Sequence, residues 1–135
     1  MNREQNHRLA QQLLGEMAKG SDADDISRLF SIDVKFEIAG EVGLLPWLGR
    51  KTGRKAVADF IRDTRHLIER IRFDVHEILA SEERAVAVGE LASRIKATGK
   101  ILTSEFAMIL TFSNGEIKSF SLLEDSFALS QAARL

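Results

Sequence analysis

The sequence of 135 residues contains no cysteine and no tyrosine, and it has one proline and one tryptophan. The lack of cysteine excludes a disulfide framework, a thiolate metal site and a cysteine nucleophile. No apolar run approaches the roughly 18 residues that a membrane span needs. These absences favour a soluble, cytoplasmic protein, and we expect no membrane partner and no metal.

Charge is nearly balanced, with 19 Lys and Arg residues against 20 Asp and Glu residues and a net charge of −1. The basic residues are scattered along the chain rather than gathered on one predicted face, so we expect no nucleic-acid partner. A chain of this length fits a single domain, residues 1–135, which can bury roughly two thirds of its unfolded surface in one core.

Three helices are predicted. Apolar residues recur at helical spacing between residues 9 and 18, and Gly20 supplies a stop where the backbone can adopt positive φ. Ser21 is a candidate N-cap for a second, short helix with an acidic first turn. A third helix is predicted to begin near Gly53, because apolar residues within 56–68 form one face.

Five strands are predicted from a change to a period of two. The first runs from Asp33 to Gly40, and four more follow between residues 71 and 124. Asn114-Gly115 predicts a tight type I′ hairpin. Strands of about twelve residues should twist and bend, with a bulge near Gly89. A curved antiparallel sheet is therefore expected to close over the helices and leave a pocket, in the order α-α-β-α-β-β-β-β.

Five short motifs accompany this order of helices and strands. They are Ser21-Asp22 through Asp33, Leu45-Pro46-Trp47-Leu48-Gly49, Gly53-Arg54, Thr98-Gly99-Lys100 and Asn114-Gly115-Glu116-Ile117. Together they resemble the superfamily of nuclear transport factor two and ketosteroid isomerase, and its SnoaL-like branch in particular. The resemblance implies an α+β fold in which a cone-shaped antiparallel sheet wraps around N-terminal helices, the cystatin-like α+β barrel. It also implies a homodimer that pairs through the outer sheet face.

The catalytic residues of two enzymes of this superfamily are missing. Aligned on Asp33, the general-base aspartate of ketosteroid isomerase falls at Ile38, and Leu14 lies near its oxyanion-hole tyrosine. The partner aspartic acid falls at Ala107 or Met108. The buried Asp-Arg-Asp set of limonene-epoxide hydrolase would fall near Glu90, Ala92 and Leu122. We therefore expect neither mechanism, and the fold alone does not assign an activity.

Glu90 and Glu124 are the predicted catalytic residues. Glu90 shares parity with Val86 and Val88, which favours an inward carboxylate. The resemblance implies that the face carrying Glu124 also looks into the cavity. Burial and a nearby like charge raise the pKa of a carboxyl, so one glutamate could act as a general acid or base. Alternatively, Glu124 pairs with an arginine at the rim, while Glu90 lies near a bulge and reaches solvent.

The predicted ligand site is largely apolar. Its predicted lining is Leu14, Ile38, Trp47, Phe106, Met108, Phe120 and Leu122. Trp47 either closes the mouth of this pocket or only anchors its loop.

Two functions are compatible with these patterns. In the first, the chain binds a largely apolar, cyclic small molecule and isomerises, cyclises or dehydrates it without a cofactor. In the second, it is a noncatalytic dimeric association or ligand-carrier module, with Ile78, Ile109 and Ile117 in the interface. A cavity of roughly 300 Å³ or more that holds both glutamates would favour ligand chemistry, whereas a filled cone with surface glutamates would favour assembly.

Overall fold

The computed structural model describes residues 2–135 as helices packed against one six-stranded sheet. The elements are α1 (Arg3–Ala18), α2 (Ala23–Ser27), β1 (Phe30–Ile38), β2 (Gly49–Thr52), α3 (Arg54–Leu67), β3 (Ile68–Ala80), β4 (Arg84–Ile95), β5 (Ile101–Ser113), β6 (Glu116–Leu123) and α4 (Ser126–Ala133). The α+β class is confirmed, and the predicted order holds with two additions, β2 and α4. No helix within residues 2–135 has the length and apolarity to cross a membrane.

The helix ends follow local sequence signals. Asn2 caps α1 in a capping box with Gln5, in which each side chain accepts the backbone N–H of the other residue. Gly20 follows α1 at φ 78°, as predicted for a helix stop. The predicted cap of α2 was one residue early, because the carboxylate of Asp22, rather than Ser21, accepts the first free N–H groups. Helix α3 begins directly after Gly53, as predicted.

The sheet has the strand order β2-β1-β6-β5-β4-β3 and is not closed into a barrel. All neighbouring strands are antiparallel except β1 and β6, which are parallel, so the sheet is mixed rather than purely antiparallel. The β5–β6 hairpin is confirmed, since Asn114 and Gly115 both have positive φ and Ser113 pairs with Glu116.

Two bulges bend the β3–β4 pair, one at Ile71 and one at His76. The second lies beside Gly89, as predicted. A Cβ atom added to Gly89 would lie 1.8 Å from the carbonyl oxygen of Asp74, so only glycine permits this approach of the two backbones. Each bulge adds one residue to β3 and therefore changes which of the following side chains face the helices.

An aromatic cluster fills the concave face of the sheet beside β1. Phe36 stacks on Phe120 with ring centroids 5.1 Å apart, and Phe60 of α3 packs against both rings. Trp47 is 4% exposed and meets the Phe60 ring edge-on at 6.2 Å. Trp47 thus anchors its loop to the core.

Candidate functional site

A cavity of 240 Å³ lies between α1, α3 and the first half of β3. It is lined by Leu14, Met17, Ala18, Ile61, Thr64, Arg65, Ile68, Arg70 and Phe73. Apolar side chains from both helices form most of the wall, while Thr64 and the two arginines are its polar members. The volume is below the roughly 300 Å³ expected for ligand chemistry, and neither Glu90 nor Glu124 lines the cavity, so the combination that would favour ligand chemistry is not met.

Only one predicted ligand-binding residue, Leu14, contributes to this cavity. The other six are buried in the core: Ile38, Trp47, Phe106, Met108, Phe120 and Leu122. They pack there because aromatic rings from β1, β6 and α3 occupy the space that the sequence assigned to a ligand. Phe106 remains next to the cavity wall, since it stacks on Phe73 at a centroid distance of 4.5 Å.

Glu90 lies on the outer face of the sheet, so its predicted inward position is wrong. Its side chain is 43% exposed, and a carboxylate oxygen lies 3.7 Å from Nη2 of Arg72. The residues of β4 that enter the core are the alternate set, including Ala85, Ala87 and Leu91. The alternation of residues along β4 gave the wrong face because both faces carry apolar residues. The small alanines, and not the valines, face the helices.

Glu124 follows the last residue of β6 and is half-buried. Desolvation raises the pKa of its carboxyl, the positive charge of Arg70 lowers that pKa in part, and the negative charge of Asp125 raises it. Within residues 2–135, Glu124 makes no ion pair with Arg70 at 4 Å or less. The two groups interact through space rather than by contact.

Glu90 and Glu124 do share one feature, an open depression of 500 Å³ that also involves His76, Val88 and Glu105. Glu90 pairs with Glu105 across the β4–β5 ladder, an arrangement of like charges that is unfavourable unless it is compensated. Arg72 compensates this repulsion in part, because its guanidinium lies 3.7 Å from the Glu90 carboxylate. The same guanidinium also lies 3.4 Å from Asp74. This depression is distinct from the cavity between the helices and β3.

Arg70 is the polar residue of the cavity that sequence reasoning missed. Its Nη1 donates a hydrogen bond of 2.7 Å to Oγ of Ser93, and its guanidinium carbon lies 5.0 Å from the centroid of the Phe73 ring. Arg70 is exposed as a residue, but the groups packed around its guanidinium partly desolvate the charge and lower its pKa, while Glu124 raises it. The bulge at Ile71 places Arg70 on the same face as Phe73, and simple alternation does not reveal that.

Arg65 holds the adjoining helix end. Its Nη1 donates to the carbonyl oxygen of Ser21 at 2.6 Å, and its Nη2 donates to that of Met17 at 3.4 Å. These carbonyls lie at the C-terminal end of α1, where a cation is favourable. Arg65 therefore ties α3 to α1 at the edge of the cavity.

The structure is similar to several solved bacterial proteins. An NTF2-like protein from Burkholderia xenovorans has a TM-score of 0.88 with 22% identity, over 99% of both chains. An NTF2-like protein of unknown function from Burkholderia pseudomallei has a TM-score of 0.84 with 21% identity, over 97% of this chain and 98% of that one. A candidate SnoaL-like polyketide cyclase from Mesorhizobium loti has a TM-score of 0.70 with 16% identity, over 86% and 96%.

At these identities the solved structures show the fold alone. A comparison with curated proteins finds no significant match. The sequence itself carries the family assignment, since residues 10–120 match the SnoaL-like domain. The chain belongs to the SnoaL-like family.

Proposed function

We propose that this protein binds a small, largely apolar molecule in the cavity between α1, α3 and β3. The observation that carries the proposal is the composition of the cavity wall, in which apolar side chains surround a few polar groups. Sites for small molecules have this composition. A volume of 240 Å³ equals that of about eight water molecules in the liquid, so the part of the ligand inside the cavity must be compact.

For a reaction at this site, we propose cofactor-independent proton transfer by Glu124. Its raised pKa supports the role, because a general acid or base works best when its pKa is near the working pH. Glu124 lines the neighbouring depression and not the cavity, so the reacting part of a substrate must extend out of the cavity past Arg70 toward the end of β6. Two solved structures described as candidate isomerases, from Rhodopseudomonas palustris and Bacillus subtilis, share this fold. Glu90, exposed and paired with Arg72, is not part of this proposal.

Cavity binding is tested by NMR with a ¹³C-labelled methyl group on Met17, using indole as a compact apolar probe. We expect indole to shift the Met17 resonance in the wild type. Leu14→Trp should abolish the shift, because the larger ring fills the cavity. Gln12→Trp, on the exposed side of α1, is the matched control and should retain the shift. A shift that survives Leu14→Trp, or no shift in the wild type, would refute cavity binding.

The second candidate function is association through the outer sheet face. Val86, Val88 and Ile109 lie on that face and are only half-buried. Ile78 and Ile117 cannot contribute as predicted, since Ile78 packs against the core and Ile117 is buried within it. A half-buried apolar face of this kind supports a homodimer.

Analytical ultracentrifugation tests the association. We expect a wild-type dimer and a monomeric Val88→Lys variant, because a lysine at the centre of the face would be buried without a partner. Ser113→Lys, at the exposed β5–β6 turn, adds the same charge outside that face and should remain dimeric. A monomeric wild type would exclude the dimer.

A further inference from the structure

We propose that the ligand is an amphipathic anion, a compact molecule whose carboxylate binds Arg70 and whose apolar body fills the cavity. This inference rests on the proposed function, since it names the chemical class of the molecule bound at the same site. Three observations carry it: the charge of the cavity wall, the free edge of the Arg70 guanidinium, and the position of Glu124.

The wall of the cavity carries two positive charges and no negative one. Arg65 and Arg70 both line it, and its remaining members are apolar residues and Thr64. Arg65 donates hydrogen bonds to the carbonyl oxygens of Ser21 and Met17. These partners are uncharged, so they do not neutralise the positive charge of Arg65. An apolar cavity with two guanidinium groups attracts an anion and disfavours a cation.

Arg70 is held in place with one edge of its guanidinium free. The hydrogen bond to Ser93 uses Nη1, and the guanidinium carbon lies 5.0 Å from the centroid of the Phe73 ring, within range of a cation–π contact. Within residues 2–135, Nε and Nη2 have no hydrogen-bond partner. These two nitrogens form the fork that binds a carboxylate through two parallel hydrogen bonds.

Arg72, on the same strand, is an arginine whose charge is paired with carboxylates. It lies on the opposite face of β3 and has two carboxylates nearby, Asp74 at 3.4 Å and Glu90 at 3.7 Å. Arg70 has no carboxylate within 4 Å in residues 2–135. The contrast makes Arg72 the matched control for Arg70.

Glu124 is the acid whose charge reaches Arg70, and it does not line the cavity. A bound carboxylate would be repelled by ionised Glu124 while it is attracted by Arg70. Removing the charge of Glu124 should therefore tighten the binding of an anion. This effect has the opposite sign from that expected if Glu124 itself held the ligand, so it separates the two roles.

The experiment titrates the labelled protein with 3-phenylpropanoate, 3-phenylpropanamide and 3-phenylpropylamine, and follows the Met17 methyl resonance. These probes share one apolar body and differ in charge. We expect the acid to bind about tenfold or more tightly than the amide, because hydrogen bonds to charged groups are the stronger ones. The amine should bind most weakly.

Variants test which side chain is responsible for the preference for the acid over the amide. Arg70→Gln should remove the preference for the acid over the amide, whereas Arg72→Gln should retain it. Glu124→Gln should increase the affinity for the acid and leave the affinity for the amide unchanged. Circular dichroism checks that each variant is folded, and Arg70→Lys, which keeps the charge but not the fork, should retain only part of the preference.

Each contrary result has a distinct meaning. Equal affinities for acid and amide in the wild type, with a clear Met17 shift, would overturn the anion inference and leave the cavity function standing. Equal losses in Arg70→Gln and Arg72→Gln would also overturn it, because the preference would then reflect overall charge. If none of the three probes or indole shifts Met17, both the inference and the proposed function fail.

Discussion

The concave face of the sheet is closed at one side and open at the other. Beside β1 the rings of Phe36, Phe60 and Phe120 pack against one another and leave no room for a ligand. Beside the edge strand β3, Arg70 and Phe73 face a cavity instead. The two regions under the same curved sheet therefore differ in packing: aromatic rings fill one, and a cavity remains in the other.

The largest effect is expected at the closed side. Phe36 is 1% exposed and stacks on Phe120, so Phe36→Ala should leave a cavity and lower the free energy of unfolding by about 3–5 kcal/mol. Urea denaturation measures the loss. Phe127, 71% exposed on α4, supplies the control, and Phe127→Ala should change stability by less than about 0.5 kcal/mol. Similar losses for the two variants would contradict the assignment of a packed, closed side.

A smaller effect is expected at the bend between β3 and β4. Gly89→Ala forces a Cβ against the Asp74 carbonyl, so the strands must separate, and we expect a loss of about 1–3 kcal/mol. Gly15→Ala is the matched control, because nothing lies within 4 Å of a Cβ at this exposed helical position. It should stabilise the protein by roughly 0.5–1 kcal/mol. Thermal melts should show a lower melting temperature for Gly89→Ala and a higher one for Gly15→Ala. A Gly89→Ala variant as stable as the wild type would show that the close backbone contact does not explain the bend.

The smallest effect concerns Glu124 at the open side and depends on pH. Its folded-state pKa is raised above the ordinary 4.5, so the folded state holds this proton more tightly than the unfolded state. The contribution of Glu124 to stability therefore falls as pH rises from 4.5 through the raised value. Glu124→Gln lacks this loss, so its melting temperature should gain on the wild type as pH rises above the ordinary value of 4.5.

Glu83→Gln, at the exposed β3–β4 turn, controls for the change from glutamate to glutamine. A gain of equal size in that variant, or a constant difference between Glu124→Gln and the wild type at every pH, would count against desolvation of Glu124.

Much of the fold could be predicted from local signals. The Asn114-Gly115 hairpin, the stop at Gly20 and the start of α3 after Gly53 all depend on residues close together in the chain, and all are confirmed. The parallel pairing of β1 with β6 could not be predicted in the same way. Its partners, such as Phe36 and Phe120, are far apart in sequence, and nothing local encodes their alignment.

The site was less accessible to sequence reasoning, as two residues illustrate. Glu90 was placed inward because Val86 and Val88 share its parity, but the outer face of this sheet is apolar too. Arg70 was overlooked because the bulge at Ile71 shifts it to the face of Phe73. For Glu90, alternation separates the two faces correctly, and only the packed structure shows which one meets the helices. For Arg70, the bulge breaks the alternation itself. The homodimer, the cytoplasmic location and the catalytic roles stay predictions.

The sequence by itself determined the helices, the turns, the α+β class and the SnoaL-like family, because propensity, capping and turn chemistry act over a few neighbouring residues. Tertiary structure alone decided which face of each strand is buried, where the aromatic rings fill the cone and where a cavity is left. Those outcomes depend on bulges and on side-chain volumes summed across distant strands and helices. Arg70, Ser93 and Phe73 come together only when β3 and β4 have paired in the bulged register.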